Sequence, residues 1–586
     1  MTAPLIKRVL LIWLVICAFL IATHFRSIAG WQFPDQDDAL RLLEVRDFLS
    51  GQNWFDVHQY RVAAPQGVAM HWSRLVDLPL AGMIVLLKPL LGTALAEAVT
   101  VVAVPLLTLL CALLLIGRLA GQLLDVEAAG FACLFSGLAA PAIAQLQPMR
   151  IDHHGWQIVL ALVALNGLAM RDPRKGGWTI GLAMAASLAI SLEGLPLTAV
   201  FCAVCALRFL RDPGEGYHGG RGWLVHTVGA LAVGSIGFFL ATRGTFDPVN
   251  HCDTVSPVHL AVFAWGAAGC LGIAAMGRRR LPLVLAAMAL IATGAIAIML
   301  LSAPQCAGGA FAELDPVVRK YWYNHVREGM PVWQMPPAVA AAMIVLPLLG
   351  LIGAAYQWWS AKDGEARLLW LDITLVLAGS AVIAMLVSRA AGTACLLGAA
   401  PAGALVRDLL NRSRTVRQPL RRIAALLGIG TLLYPSLPVL AWTLATQQTG
   451  IGHTAEIMPK ACDYHAAAAA LNALPATDIF APVDIGPYLL VDTHHRVVAT
   501  GHHRGSAGMH DVIVAFLGSD DQARAIVHQR HATLVMICPS MGEPMVYAQI
   551  APNGWMAHLV AGHPPAWLQP LPIAPESKLK LWKVVG

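Results

Sequence analysis

The sequence predicts a polytopic α-helical membrane protein that carries a soluble α/β domain at its C-terminal end. Of its 586 residues, 57% are hydrophobic and only 13% are charged, a composition that excludes an ordinary soluble globular protein. Apolar runs of about 20 residues, enough to cross a hydrocarbon core roughly 30 Å thick, recur from Leu10 to Leu444 and then stop. The predicted domains are therefore residues 1–447, in the membrane, and residues 448–586, outside it.

The chain after Gly450 differs in character from the part before it. Two β-rich runs (HRVVAT and ATLVMIC) occur together with a helix-like alanine run (HAAAAALNAL), and prolines are frequent. Strand runs mixed with helical runs are typical of α/β folds. We therefore expect a folded α/β domain after the last membrane helix.

The positions of lysine and arginine predict the orientation of the membrane helices, because short cytoplasmic loops are enriched in these residues. Placing every basic connector in the cytoplasm makes the apolar runs alternate consistently, with about 13 crossings, the N-terminus inside and the tail outside. The first run has no clear cleavage site and is expected to be a retained helix. The basic connectors are Lys7 and Arg8, Arg118, and residues 171–177, 208–221, 277–280 and 407–422.

This topology places four polar loops on the outer face, where we expect the periplasm of a bacterial cell, with the helices in its cytoplasmic membrane. A divalent cation, a membrane lipid or a polar substrate reaching the protein from that side would meet these loops first. The four loops are residues 31–75, 148–154, 245–257 and 302–335.

Four of the 11 cysteines, Cys252, Cys306, Cys462 and Cys538, fall on the outer face. An oxidising compartment permits disulfides there. Their context favours bonds between Cys252 and Cys306 and between Cys462 and Cys538, although other pairings stay open. The remaining seven lie in apolar runs, where cysteine usually packs as a small core residue.

The first outer loop begins with three aspartates in the stretch FPDQDDALRLLEVRD. Asp35 and Asp37 are two positions apart, and on an irregular segment such carboxylates converge on one hard divalent cation. The structural alternative is a solvated loop with an aspartate that caps a helix beginning at Ala39.

The stretch MRIDHHGW sets Asp152, His153 and His154 directly before an apolar run. A carboxylate and an imidazole two positions apart suit manganese, zinc, or magnesium with water. The alternative is a group of hydrogen-bonded residues at the membrane interface, but ionisable groups at such depth are costly and tend to be functional. Glu328, in a later outer loop rich in aromatic residues, offers a third oxygen ligand.

Together these motifs resemble the catalytic subunit of oligosaccharyltransferases and its single-subunit bacterial and archaeal relatives, members of the GT-C class of polyprenyl-linked glycosyltransferases. The resemblance rests on DQDD at 35–38, DHH at 152–154 and HVREGMPVW at 325–333, and it covers nearly the whole chain. It implies metal ligands at Asp37, nine positions before the Arg46–Asp47 pair, and at Asp152 and His154. Asp35 and Glu328 are then the further catalytic candidates.

The tail is similar to the segment that begins with WWDYG in this family. Asp484 and Gly486 match its aspartate and glycine, but Pro482 and Val483 replace the tryptophans. Because that motif helps the family to hold an Asn-x-Ser/Thr acceptor, its loss leaves the acceptor open among protein, lipid and polysaccharide.

Three further positions complete the candidate site. Arg389 is either a contact for the donor phosphate or an interface anchor. His502 and His503 are expected on the acceptor side. A zinc site formed with the other histidine pair, His494 and His495, is an alternative, although adjacent residues of a strand point to opposite faces.

The expected reaction moves a sugar or oligosaccharide from a polyprenyl phosphate or pyrophosphate at the outer interface. Mg²⁺ or Mn²⁺, held by Asp37, Asp152 and His154, would neutralise the phosphate leaving group, and Asp35 or Glu328 would orient or deprotonate the acceptor. The donor is already activated, so no nucleotide-binding glycine loop is needed, and no nucleic-acid partner is expected. Alternatives are a single-sugar transferase that uses a monophosphate donor, and a lipid-linked glycan transporter in which groups such as Glu193 act in the membrane.

Overall fold

A computed structural model of the chain describes residues 1–212, 219–245, 247–276, 281–448 and 462–585. The basic connector predicted at 277–280, part of the one at 208–221, one residue of the outer loop 245–257 and the first residues of the predicted C-terminal domain lie outside these ranges. The structure is predominantly helical, with a small mixed sheet near the C-terminus. The predicted fold class is therefore confirmed.

The part of the chain before residue 449 consists of helices and one short hairpin. Their bounds are α1 (Ala3–Ala29), α2 (Gln36–Leu49), β1 (His58–Gln59), β2 (Val68–Ala69), α3 (Asp77–Leu123), α4 (Val126–Leu138), α5 (Ala140–Ile143), α6 (His154–Leu168), α7 (Pro173–Ile190), α8 (Leu195–Arg211), α9 (Gly220–Thr242), α10 (Pro257–Ala275), α11 (Leu281–Ser302), α12 (Pro316–Tyr321), α13 (Pro337–Ser360), α14 (Gly364–Leu386), α15 (Ala391–Leu397), α16 (Ala399–Thr415), α17 (Pro419–Leu433) and α18 (Ser436–Gln448). The predicted boundary at 447/448 falls at the end of α18.

Eight helices within the described ranges are long and apolar enough to cross a membrane, and the number rises to ten if each of two bent helix pairs forms one crossing. The expected count of about 13 is not confirmed. Part of the difference has a physical cause in α3, whose 47 residues would measure about 70 Å as a straight helix. Gly92 interrupts it with a φ of 76°, a conformation that glycine adopts without steric cost, so one element contains two helical segments.

The C-terminal part contains a five-stranded sheet with helices. Its elements are α19 (Tyr464–Asn472), β3 (Asp478–Phe480), α20 (Gly486–Asp492), β4 (Arg496–Val497), α21 (Ser506–Leu517), α22 (Asp520–Gln529), β5 (Leu534–Ile537), α23 (Gly542–Ile550), α24 (Trp555–Ala561), β6 (Leu568–Leu571) and β7 (Lys580–Val584). The predicted strand runs form β4 and β5, and the alanine run forms α19.

The strand order is β4-β3-β5-β7-β6. β3 is parallel to both β4 and β5, with Ile479 opposite Val497 and Leu534. β7 is antiparallel to β5 and β6. Parallel strands must be joined by crossover connections, which are usually helices. Strand and helix runs therefore occur together in the sequence after Gly450, and they predicted the α/β class correctly.

The first outer loop attaches the α/β domain to the helices. Val62 forms a parallel bridge with Val497 of the edge strand β4, the Ala63 amide donates to the Val497 carbonyl at 2.9 Å, and the Val497 amide donates to the Arg61 carbonyl at 2.9 Å. One apolar cluster continues from Leu42 of α2 to Leu490 of α20. The outer ends of the helices and the sheet are therefore held by a common core.

Both expected disulfides are present. Cys252 bonds to Cys306, with their Cα atoms 5.1 Å apart, and this bond joins the loop after α9 to the segment after α11. Cys462 bonds to Cys538, with their Cα atoms 6.0 Å apart, and this bond ties the start of the described α/β domain to the end of β5. The pairings favoured by the sequence are therefore the ones present in the structure.

Replacing Gly486 by alanine is expected to destabilise the α/β domain by about 1–3 kcal/mol, because an added methyl group forces a backbone shift in a packed region. A Cβ atom there would lie 2.5 Å from the Ala499 carbonyl oxygen. The matched control is Gly542→Ala at the start of α23, where nothing lies within 4 Å. Thermal unfolding of both variants in detergent checks the prediction, and equal stability of the two would contradict it.

Candidate active site

A cavity of about 1730 Å³ lies between the outer ends of the helices and the α/β domain. Its wall combines the start of α2, the DHH segment, the later outer loop, Arg389 and the near face of the α/β domain. Of the residues predicted for the site, Asp35, Asp37, Glu328, Arg389, Asp484, His502 and His503 line it. Loops from distant parts of the sequence therefore meet at one concave surface.

The aspartates of the first outer loop lie at the beginning of α2. Asp35 caps this helix, since its Oδ1 accepts a hydrogen bond from the Asp37 amide at 3.0 Å. The capping alternative predicted from the sequence is thus present, but the helix begins at Gln36 and not at Ala39. The Asp37 side chain faces the cavity, while Asp38 is fully buried.

Arg150 holds three carboxylates together and was not among the residues predicted from the sequence. Its guanidinium lies 3.2 Å from Asp35, 3.1 Å from Asp38 and 3.0 Å from Glu328. Arg150 is 6% exposed, and the fork of an arginine suits such multiple contacts. Asp35 and Glu328 are therefore held by a guanidinium that stands two positions before the DHH segment in the chain.

The DHH segment forms a compact group at the start of α6. The Asp152 amide donates to Asp38 at 2.9 Å, Asp152 Oδ1 lies 2.5 Å from His153 Nδ1, and Asp152 Oδ2 lies 3.3 Å from His154 Nε2. His154 Nε2 is also 3.6 Å from Glu328 Oε2. The predicted Asp152, His154 and Glu328 thus come together, and His153, which the i+2 argument had set aside, joins them.

Two buried polar atoms of this group form no hydrogen bond with the described residues. They are His153 Nε2 and Asp152 Oδ2, and the latter has only the ion-pair contact with His154 at 3.3 Å among the contacts described above. One ligand atom from each of Asp152, His153 and His154 lies within 4.8 Å of those of the other two. Buried polar atoms without partners are rare and call for an explanation such as an ion. The donor set therefore fits a divalent cation.

The pKa values of the carboxylates in this cluster are shifted in opposite directions. Burial, together with the negative charges of Asp35, Asp152 and Glu328, raises the pKa of Asp37 well above its ordinary value. Burial opposes the ionisation of Glu328, but the hydrogen bond and charge of His154 and the charge of Arg150 outweigh it and lower the Glu328 pKa to about 2. The pKa of Asp152 is also lowered, since the charges of the two histidines exceed the effect of burial. Asp37 thus faces negative charge that the surrounding side chains do not neutralise.

Arg389 lies at the same cavity and pairs with Glu193, whose Oε1 is 2.5 Å from Arg389 Nη1. The neighbouring Ser388 hydroxyl donates to the Glu328 carbonyl at 3.0 Å. These contacts hold the outer end of α14 against the loop that carries Glu328. Glu193, considered from the sequence as a group acting within the membrane, is part of the cavity wall.

The α/β domain contributes two further acidic residues to the cavity wall, Asp484 and Glu543. The carboxylate of Glu543 accepts from the Val483 and Asp484 amides, both at 3.0 Å. Burial and the negative charge of Asp35 raise the Asp484 pKa to about 6, and burial and the charge of Asp484 raise the Glu543 pKa to about 8. Sequence reasoning identified Asp484 through its motif and missed Glu543, because a glutamate 59 positions away carries no signal of its own.

The two histidine pairs of the tail do not converge on one another. The side chains of His494 and His495 bond through Nε2 to backbone carbonyls of Leu474 and Leu471, each at 2.9 Å. The alternative of a zinc site between the pairs was therefore wrong. His502 and His503 instead meet His71 of the first outer loop.

Comparison with solved structures finds the same fold in an archaeal oligosaccharyltransferase. The AglB protein of Archaeoglobus fulgidus, in complex with an inhibitory peptide and a dolichol-phosphate, aligns with a TM-score of 0.66 and 13% identity over 96% of this chain and 72% of that one. The apo form of the Archaeoglobus fulgidus enzyme gives 0.67 and 14%, over 93% and 71%, and its complex with zinc and sulfate gives 0.63 and 13%, over 93% and 70%. No protein-family model and no curated protein matches this chain. The fold implied by the resemblance of the motifs is confirmed.

Proposed function

We propose that this chain is a membrane glycosyltransferase that moves a sugar or an oligosaccharide from a polyprenyl-linked phosphate donor to an acceptor at the outer face of a bacterial cytoplasmic membrane. The observation that carries the proposal is that His154 contacts both Asp152 and Glu328, and that Glu328 lines the large cavity together with Asp37 and His153. The shared fold supports it, because the structure of the Archaeoglobus protein contains a dolichol-phosphate.

Asp37, Asp152 and His154 would hold the divalent cation, with His153 as a further candidate. When bound, the cation supplies Lewis-acid stabilisation of the phosphate leaving group. Mg²⁺ and Mn²⁺ suit the carboxylates, and an imidazole favours Mn²⁺ or Zn²⁺. The complex of the Archaeoglobus enzyme with zinc and sulfate supports a metal site in a protein of this fold.

The other side chains position the reacting groups. Arg389 offers a guanidinium to a donor phosphate, and its pairing with Glu193 keeps it in place. Arg150 and His154 fix the Glu328 carboxylate, where it can accept a hydrogen bond from the hydroxyl or amide of an acceptor. Asp35 contacts the other terminal nitrogen of Arg150 and would have the same role.

The acceptor enters on the side of the α/β domain. Asp484, Gly486, His502 and His503 belong to this side of the cavity or border it. The absence of the two tryptophans before Asp484 favours, as a second candidate, the transfer of a single sugar onto a lipid or polysaccharide. Mass spectrometry of glycoproteins and glycolipids from cells with and without the protein distinguishes these acceptors, and no change in either fraction would overturn the proposal.

Removing divalent cations is expected to abolish transfer. The proposed cation neutralises both the carboxylates that bind it and the leaving phosphate, and without it these negative charges would repel one another. Transfer to the acceptor is measured in detergent before and after treatment with EDTA. Adding Mn²⁺ or Mg²⁺ in excess should restore the rate, while Ca²⁺, which prefers more oxygen ligands, should restore less. Full activity in EDTA would show that the cluster works without a metal.

A further inference from the structure

Three histidines from distant parts of the chain meet on the cavity wall. His71 follows the hairpin of the first outer loop, and His502 and His503 lie between β4 and α21. His71 Nδ1 is 2.8 Å from His502 Nε2, and the ring centroids of His71 and His503 are 4.8 Å apart. One ring nitrogen from each histidine lies within 4.8 Å of those of the other two.

We propose that His71, His502 and His503 form a second metal site, which takes a borderline divalent ion such as Zn²⁺. Imidazole nitrogens suit zinc and neighbouring transition metals, whereas Mg²⁺ and Ca²⁺ prefer oxygen ligands. Two nitrogens bound to one tetrahedral zinc ion are about 3.3 Å apart, so the rings of His71 and His502 need to separate only slightly. This site differs in chemistry from the first one, because its three ligands are all imidazoles, whereas the first site includes the carboxylates of Asp37 and Asp152.

The partners of His503 support the proposal. Its Nε2 lies 2.7 Å from Asp253 Oδ2, and Asp253 is held by two hydrogen bonds from Arg504, both at 2.7 Å. Histidines that bind a metal usually donate their other ring nitrogen to a carboxylate or carbonyl, which fixes the tautomer. With Nε2 engaged by Asp253, the Nδ1 atom of His503 is left for the ion.

His502 provides an independent observation. It is 4% exposed, and its Nδ1 has no hydrogen-bond partner among the described residues. In the part of the chain that the structure describes, the ring of His502 forms one hydrogen bond, between its Nε2 and Nδ1 of His71, and between two neutral imidazoles such a bond needs one particular pair of tautomers.

The consequence of this site is a cross-link. His71 belongs to the loop that leads into α3, and His502 and His503 belong to the α/β domain. A single ion would therefore tie the membrane part to the α/β domain beside the cavity. Three protein ligands leave one tetrahedral position for water or a ligand atom, and all three histidines line the cavity.

The test counts bound metal in the 586-residue chain, which is purified in detergent, stripped with a chelator, incubated with Zn²⁺ and then freed of unbound ion. The double variant Asp37→Ala/Asp152→Ala removes the carboxylate ligands of the first site. In this background we expect one equivalent of Zn²⁺ per chain by elemental mass spectrometry. Co²⁺ in place of Zn²⁺ should give the visible absorption of a tetrahedral nitrogen site. Adding His502→Ala or His503→Ala should reduce the bound metal to background, while the matched control His494→Ala should retain it.

Two results would overturn the proposal: the double variant binds no Zn²⁺, or the His502→Ala and His503→Ala variants keep it. Circular dichroism and gel filtration establish that each variant is folded, and His71→Asn offers a third, independent removal of a ligand. Because metal content is measured without glycan transfer, failure of this site and failure of the proposed function give different results.

Discussion

Replacing Asp152 by asparagine is expected to lower the rate of glycan transfer on the order of a thousandfold. A catalytic metal contributes several kcal/mol of charge stabilisation in the transition state, and each 1.4 kcal/mol corresponds to about tenfold in rate. Asparagine keeps the shape of the side chain beside His153 and His154 but removes the charge that would bind the cation. Asp37→Asn should have an effect of similar size, measured with a labelled polyprenyl-linked donor and the purified protein.

The matched control for both substitutions is Asp56→Asn. Asp56 belongs to the same outer loop, bonds locally to His58 and Tyr60, and does not line the cavity. Its substitution should leave transfer within a few-fold of the native rate. If Asp152→Asn and Asp37→Asn both retain full activity, the assignment of these residues as metal ligands is wrong.

Replacing Arg150 by methionine is expected to destabilise the protein by about 3–5 kcal/mol, since removing one partner of a buried ion pair leaves an uncompensated buried charge. Most of this effect should come from Asp38, which is fully buried, and its pKa of about 7 already reflects burial opposed by Arg150. The side chains of Asp35 and Glu328 are 31% and 35% exposed, so solvent screens their contribution.

A double-mutant cycle separates the charge from the loss of packing. Asp38→Asn in the Arg150→Met background should restore part of the stability, because the remaining partner no longer carries a buried charge. Thermal unfolding in detergent measures all three variants. If the double variant is no more stable than Arg150→Met alone, the effect comes from the lost side-chain volume and not from charge.

The sequence predicted the general architecture well, for a physical reason. A helix that crosses a bilayer must be long and apolar, and such a helix can be recognised from a short stretch of sequence. The apolar runs between Leu10 and Leu444 are examples. The number of crossings was harder to predict. Breaks such as Gly92, and the bent pair formed by α15 and α16, depend on how helices pack and not on the hydropathy of a window.

The candidate site could be predicted only in part. Asp152, His154 and Glu328 carried motif-like spacing, and the structure brings them together. Arg150 stands two positions before Asp152, in the stretch MRIDHHGW. Its partner Asp38 is 112 positions away in the sequence, so no local pattern predicts the ion pair. His71 was missed for the same reason. Its partners, His502 and His503, lie in the α/β domain and approach it only in the folded protein.

The bridge between Val62 and Val497 has a consequence for how the α/β domain can be produced alone. β4 is an edge strand of the sheet, and within the whole chain the first outer loop covers its backbone donors and acceptors. A fragment that begins after α18 would leave that edge open, and exposed edge strands pair readily with other chains. The first loop of the membrane part thus protects the α/β domain from self-association. A fragment containing this domain is expected to be more soluble when residues 58–69 are included on the same polypeptide.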